Sequence, residues 1–259
     1  MKKNVTSNHL VFASTLTRAV FLAGIVVTAA MTPALAQRDG ENNDHKRVKV
    51  FPPQSHPYGK SYGQWSAEWW KWALSLPVDQ NPFYDVSGCQ NGANGQSGPV
   101  WFLTGVIAES GVAVRDCTVP GGKALFFPVI NTECSTLEPP PFHGNNEAEL
   151  RACAANFNVV NLAAEVDGVA VKNLDDYRVF SPLFTFTVPD NNPLGVPAGT
   201  GQAVGNGFYL MLAPLSPGHH TIHFGGTYPD FNFTLSITYH LTVLPGHHHD
   251  GDSDDGSDD

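Results

Sequence analysis

The chain has 259 residues and carries 14 Lys and Arg against 24 Asp and Glu, a formal charge of −10. That balance excludes nucleic acid as a partner, because such affinity comes from Lys and Arg neutralising phosphates. Only 15% of residues are charged, against about 25% in an average soluble protein, and the 25 Gly and 20 Pro favour short strands broken by turns.

Lys2, Lys3 and Arg18 precede an apolar run from Ala19 to Met31 and then Ala34-Leu35-Ala36. This is the pattern of a secretory signal over residues 1–36, cleaved near Ala36. The run falls short of the about 20 apolar residues a membrane helix needs, and no later segment reads as a span. The expected location is secreted or periplasmic. Cleavage removes three of the basic residues and none of the acidic ones, leaving a formal charge of −13. Residues 37–55, with "RDGENNDHKRVKV" and then Pro52-Pro53, read as a leader. Residues 56–245 read as a single β-rich domain. Residues 246–259, with His247 to His249 and six Asp, are too polar to bury a core and read as a disordered tail. Buffering of divalent ions would be a by-product of that tail, since its glycine spacing does not fit an EF-hand loop.

Within the domain, Ser61-Tyr62-Gly63-Gln64 matches the S-x-x-Q capping box and opens a helix that Pro77 closes. Tyr62, Trp65, Trp69, Trp72 and Leu76 recur on it at three- and four-residue steps as one apolar stripe. Strand-like "VWFLTGVI", "VAVRDCTV" and "KALFFPVI" follow the loop "DVSGCQNGANGQSGP". Asn146 caps a second helix from Glu147 to about Asn156. Asp167-Gly168 joins two alternating runs as a hairpin turn. "YRVFS", "LFTFTV", "GFYLMLAP", "HHTIHFGG" and "FNFTLSITYHLTVL" continue as strands, and "GTGQAVGNG" reads as a connecting loop. In the last strand Phe231, Phe233, Leu235, Ile237, Tyr239 and Leu241 share one face. The fold class is mainly β: an immunoglobulin-like or related β-sandwich with two accessory α-helices and long disulfide-stapled loops.

The four cysteines point to two disulfides in an oxidising compartment, out of three connectivities. Cys89 with Cys117 and Cys134 with Cys153 is the preferred pairing, because each bond would staple an irregular segment to a neighbouring element. "GQWSAEWWKWALSLP", "CTVPGGKALFFPVINTEC" and "LAPLSPGHHTIHFGG" resemble recurring blocks of a family of uncharacterised bacterial secreted proteins, over most of residues 58–244. That resemblance brings no activity and no catalytic residue with it. "LSPGHHTIHF" is similar to the penultimate-strand segment of bacterial immunoglobulin-like sandwiches.

The chemistry-bearing candidates are few. Trp65 and Trp70 are either core, as buried aromatics usually are, or flat platforms for an extracellular ligand such as a polysaccharide. Glu68 either pairs with Lys71 or, desolvated against indole, joins Glu133 as the two carboxyls a glycosidase needs. His223 and His240 could meet across adjacent strands as two metal ligands, whereas His220 reads as a hydrogen-bonded histidine at a sheet end. No G-x-S-x-G elbow, H-E-x-x-H or P-loop occurs, and no cofactor is implied. The leading expectation is a secreted, disulfide-stapled β-sandwich binding an extracellular or envelope ligand, with a glycan as the class the tryptophans favour. The alternatives are a polysaccharide-cleaving enzyme using paired carboxylates and a structural or metal-buffering envelope protein.

Overall fold

The structure, a computed structural model, describes residues 48–246. The signal sequence expected over residues 1–36 and the His/Asp-rich stretch after Gly246 lie outside the described residues. The fold is mainly β, with two five-stranded sheets and two helices. In chain order the elements are α1 (Tyr62–Ser75), β1 (Val100–Phe102), β2 (Val112–Val119), β3 (Ala124–Ser135), α2 (Glu147–Ala155), β4 (Val160–Val166), β5 (Val169–Ala170), β6 (Arg178–Phe180), β7 (Phe184–Val188), β8 (Gly199–Leu212), β9 (Gly218–Tyr228) and β10 (Phe233–Val243).

One sheet runs β1-β3-β8, with β6 and β7 pairing in turn along the far edge of β8. The other runs β2-β10-β9-β4-β5. They enclose one core, in which Phe127 stacks on Phe224 and Leu125, Leu210, Ile222 and Ile237 are buried. The first sheet is covered on its other face by α1, with a second core of Trp69, Phe126, Phe184, Tyr209 and Met211 between them. A strand sandwiched on both faces cannot alternate apolar and polar, and β3 and β8 are buried nearly throughout. β2 and β10 border solvent and do alternate.

The local signals explain the element boundaries. Ser61 Oγ accepts from Gln64 N at 3.2 Å and the Gln64 side chain accepts from Ser61 N at 2.9 Å, completing the capping box of α1. Asn146 Oδ1 accepts from Glu149 N at the start of α2. Asp167 (φ 50°) and Gly168 (φ 76°) form the tight turn between β4 and β5, where both central residues need positive φ. Cys89 is joined to Cys117 and Cys134 to Cys153. Disulfides in place indicate an oxidising compartment, and no helix among the described residues is long and apolar enough to cross a membrane.

Three expectations need correction. "GTGQAVGNG" is not a loop but the first half of β8, because close packing overrides the weak strand propensity of glycine. Phe231 lies outside β10 in a 3-10 turn, where it stacks on Phe157 and Phe142. The presumed leader enters the fold before His56: Val50 bridges Leu212, and Phe51 N donates to Met211 O at 2.8 Å.

Candidate functional site

β3 carries an irregularity that decides where its polar residues point. Pro128 pairs with Tyr209 and Ile130 with Phe208, so Val129 is an extra residue in a β-bulge. Such an insertion flips every later side chain to the opposite face. Before the bulge, Leu125 and Phe127 enter the inter-sheet core and Phe126 lies under α1. After it, Ile130 and Cys134 enter the inter-sheet core, while Asn131 and Glu133 turn to the helix side beside Tyr209 and Trp70.

Room for them comes from β8. Gly207 stands opposite Asn131 and Gly205 opposite Glu133. A Cβ on Gly205 would lie 2.6 Å from Trp70 Nε1, so the indole rests directly on the backbone. The Tyr209 hydroxyl accepts from Trp70 Nε1 at 3.1 Å and from Asn131 Nδ2 at 3.0 Å.

The result is a cleft of about 380 Å³ where the two cores meet. α1 supplies Trp70 and Leu74, the 3-10 turn before the glycine-rich loop supplies Phe83, and the segment before β2 supplies Val106 and Ile107. Phe142, Leu194, Tyr228, Phe233 and Leu235 complete a wall that is mostly apolar. Glu133 and Glu138 are its acids, and no Lys or Arg lines it.

Glu133 is 6% exposed, and its carboxyl is met by its own backbone N–H and by Glu138, with no cationic partner. Burial first, and then repulsion from Glu138, pushes its pKa well above the ordinary carboxyl range. Burial likewise raises Glu138, to about 7, against the opposing hydrogen bond from Ser135 Oγ at 2.9 Å. The hydrogen bond between the two carboxyls favours a protonated Glu133 donating to Glu138. Two adjoining carboxyls titrate as a pair that holds at least one proton at neutral pH.

No protein-family model matches the chain, and no curated protein matches it. Among the solved structures that are similar to it, two match over about half of the chain. "Structure of PbICP-C in complex with falcipain-2" has 11% identity, covers 55% of this chain and 98% of that chain, and gives a TM-score of 0.23. "Solution Structure of Amebosin" has 12% identity, covers 56% of this chain and 100% of that chain, and gives a TM-score of 0.18. TM-scores this low carry no argument about this chain.

The other sequence candidates fall elsewhere. Trp65, Trp69, Trp70 and Trp72 are all buried, and each indole N–H is satisfied, by Pro57 O, Leu103 O, the Tyr209 hydroxyl and Asn94 O respectively. Trp65 and Trp70 therefore offer no flat exposed face, although one edge of Trp70 borders the cleft. Glu68 sits at 3.2 Å from both Lys60 and Lys71, half-exposed on the outer side of α1, and these two ammonium groups outweigh its partial burial to hold it below the usual carboxyl range. It does not line the cleft with Glu133, so the glycosidase pairing of the two is not assembled. His223 stands opposite Glu165 and His240 opposite Asp116 across neighbouring strands. Among the described residues no group of three or more ligands could hold a metal ion.

A Ser216–His220–Asp167 cluster invites comparison with a nucleophilic triad. His220 Nδ1 lies 2.7 Å from Asp167 Oδ2, but Nε2 is 2.9 Å from the Ser216 carbonyl and 3.4 Å from its hydroxyl. With its outer nitrogen turned to an acceptor, the imidazole is not presented as a base to Ser216 Oγ. Asp167 also accepts from Thr221 N at 2.8 Å, so the cluster ties the hairpin tip to β9. His220 is the hydrogen-bonded sheet-end histidine.

Glu138 escaped the sequence reading altogether. Its one signal was spacing: Glu133 and Glu138 stand five residues apart around Ser135, whose hydroxyl accepts from Leu137 N and Glu138 N and folds the chain back.

Proposed function

We propose that the protein is an exported ligand-binding protein that takes a small, largely apolar molecule into the cleft beside Trp70. The carrying observation is convergence: Trp70, Phe83, Ile107, Phe142, Leu194 and Phe233 come from separate segments and surround about 380 Å³ that the chain does not fill. Ligand sites are typically concave, mostly apolar and furnished with a few polar groups, with volumes of roughly 300–1,000 Å³. A larger hollow of about 580 Å³ beside Val48, Val50 and Tyr177 is bordered by Lys172 but lacks a buried acid like Glu133.

The volume suits a single small molecule rather than a polysaccharide strand. Sugar binding on Trp65 and Trp70 would need faces that the core already uses. Hydrolysis by the Glu133–Glu138 pair is disfavoured as well, because glycosidase carboxyls stand roughly 5 Å or more apart with the sugar between them. The export part of the proposal rests on the residue 1–36 pattern and on the disulfides.

The test is a thermal-shift and tryptophan-fluorescence screen with small apolar compounds, repeated on Ile107→Trp. Ile107 is half-exposed at the rim, so an indole there fills the mouth without entering the core. Binding to the native chain that is lost in the variant, with the melting temperature unchanged, is expected. Equal binding by both proteins would place the ligand elsewhere.

A further inference from the structure

We infer that the ligand carries an ammonium group, and that Glu133 and Glu138 receive it at the floor of the cleft while the aromatic walls hold its apolar body. This rests on the cleft being the ligand site. The Glu133 carboxyl is more than nine-tenths buried and lines the cleft, yet meets no cationic side chain there. A buried carboxyl costs several kcal/mol of solvation when ionised unless a counter-charge joins it. The chain supplies no Lys or Arg at this point, so the complementary charge is left to come from outside. The formal charge of −10 adds a long-range attraction of the same sign. A metal ion does not fit, since among the described residues no third His, Cys, Asp or Glu joins the two carboxyls.

The inference fixes a proton balance. The entering ammonium keeps its protons, and the carboxyl pair gives up one to solvent as it ionises. Glu138, held at about 7, is the source of that proton, so release is greater in acid and falls away as pH rises. The titratable groups around the pair are few. His143 lies near Glu138 and donates through Nδ1 to the Glu138 carbonyl, and the Tyr209 and Tyr228 hydroxyls are near Glu133, with burial holding both phenols neutral.

The experiment is titration calorimetry of the full protein with phenethylamine, its neutral counterpart 2-phenylethanol and the anion 3-phenylpropanoate, each in two buffers of different ionisation enthalpy. The amine is expected to bind about tenfold or more tighter than the alcohol, as a charge-assisted hydrogen bond allows, with proton release and no binding of the anion. Glu138→Gln removes the carboxyl that ionises, so it should abolish both that advantage and the proton release. Glu133→Gln mimics the partner that keeps its proton and should retain most of the advantage, which separates loss of the charge from misfolding of the cleft. Amine and alcohol binding equally, with both variants silent, overturns the ammonium inference and leaves the cleft as an apolar site. Failure of all three probes to bind overturns both.

Discussion

Glu133, near the end of β3, and Glu138, in the loop that follows, set their carboxyls against each other at the floor of an apolar cleft. A like pair in low dielectric cannot ionise together, and the arrangement persists because a shared proton replaces one charge. The bulge at Val129 makes the contact, since without the extra residue Glu133 would face the inter-sheet core.

Stability of the ligand-free protein should therefore fall as pH rises. Glu138 is raised from an ordinary 4.5 to about 7, so between those values the folded state holds a proton that the unfolded state has released. The stabilising contribution is complete below about pH 4.5 and is lost as pH passes 7, a change on the order of 3 kcal/mol. Urea unfolding between pH 5 and pH 8 measures it. Glu138→Gln should reduce the slope to what Glu133 alone contributes, and an unchanged slope would show that Glu138 is not responsible.

Gly205→Ala tests the floor of the cleft from the other strand. The added methyl would meet Trp70 Nε1 at 2.6 Å and Cδ1 at 2.8 Å, and the indole is fixed by α1 and by the Tyr209 hydroxyl. Overpacking of this kind costs about 1–3 kcal/mol. A comparable loss is expected in thermal unfolding, accompanied by a change in tryptophan emission because Trp70 is displaced. A neutral substitution would mean that α1 shifts freely over the sheet.

The contrast between what could and could not be read in advance follows the range of the interactions. The caps of α1 and α2, the Asp167-Gly168 turn and the alternation of β10 are local, and each depends on residues a few positions apart. The extent of β8 was hidden, because its glycines are explained only by Trp70 and Asn131 arriving from distant elements. The tryptophan helix was legible as an apolar stripe, but its complete burial needed a second sheet face and the loops that take up the indole N–H groups. Arg115 was readable and passed over: alternation along "VAVRDCTV" places it with Ala113, Cys117 and Val119 on the inward face.

That arginine leads to a third prediction. Arg115 is 1% exposed and has no carboxylate partner, yet its guanidinium donates to the carbonyls of Asp85, Thr104, Pro82 and Gly105 and to the Tyr239 hydroxyl. Its planar fork holds two irregular segments against β2 and β10, and those segments carry Phe83 and Gly105 into the cleft wall. Arg115→Met leaves several buried carbonyls without donors and should cost about 3 kcal/mol or more. Arg115→Lys should recover little of this, because an ammonium reaches at most three acceptors. Chemical denaturation of both variants is the measurement, and a loss under about 1 kcal/mol would demote the guanidinium to filler.

The two disulfides should separate stability from the carboxyl pair. Each closes a loop of moderate length, with sequence separations of 28 for Cys89–Cys117 and 19 for Cys134–Cys153, so replacing either pair by Ala should cost about 3 kcal/mol. Their consequences for the cleft differ because of position. Cys134 follows Glu133 on β3 and ties that strand to α2, whereas Cys89–Cys117 fastens the glycine-rich loop to β2. Losing the Cys134–Cys153 bond frees the backbone that aims Glu133, so the fall in stability between pH 5 and pH 8 should shrink along with overall stability. Losing Cys89–Cys117 should lower stability at every pH and leave that slope intact. Identical pH profiles for the two double variants would mean that the bulge and the glycines of β8 hold Glu133 without help from the disulfide.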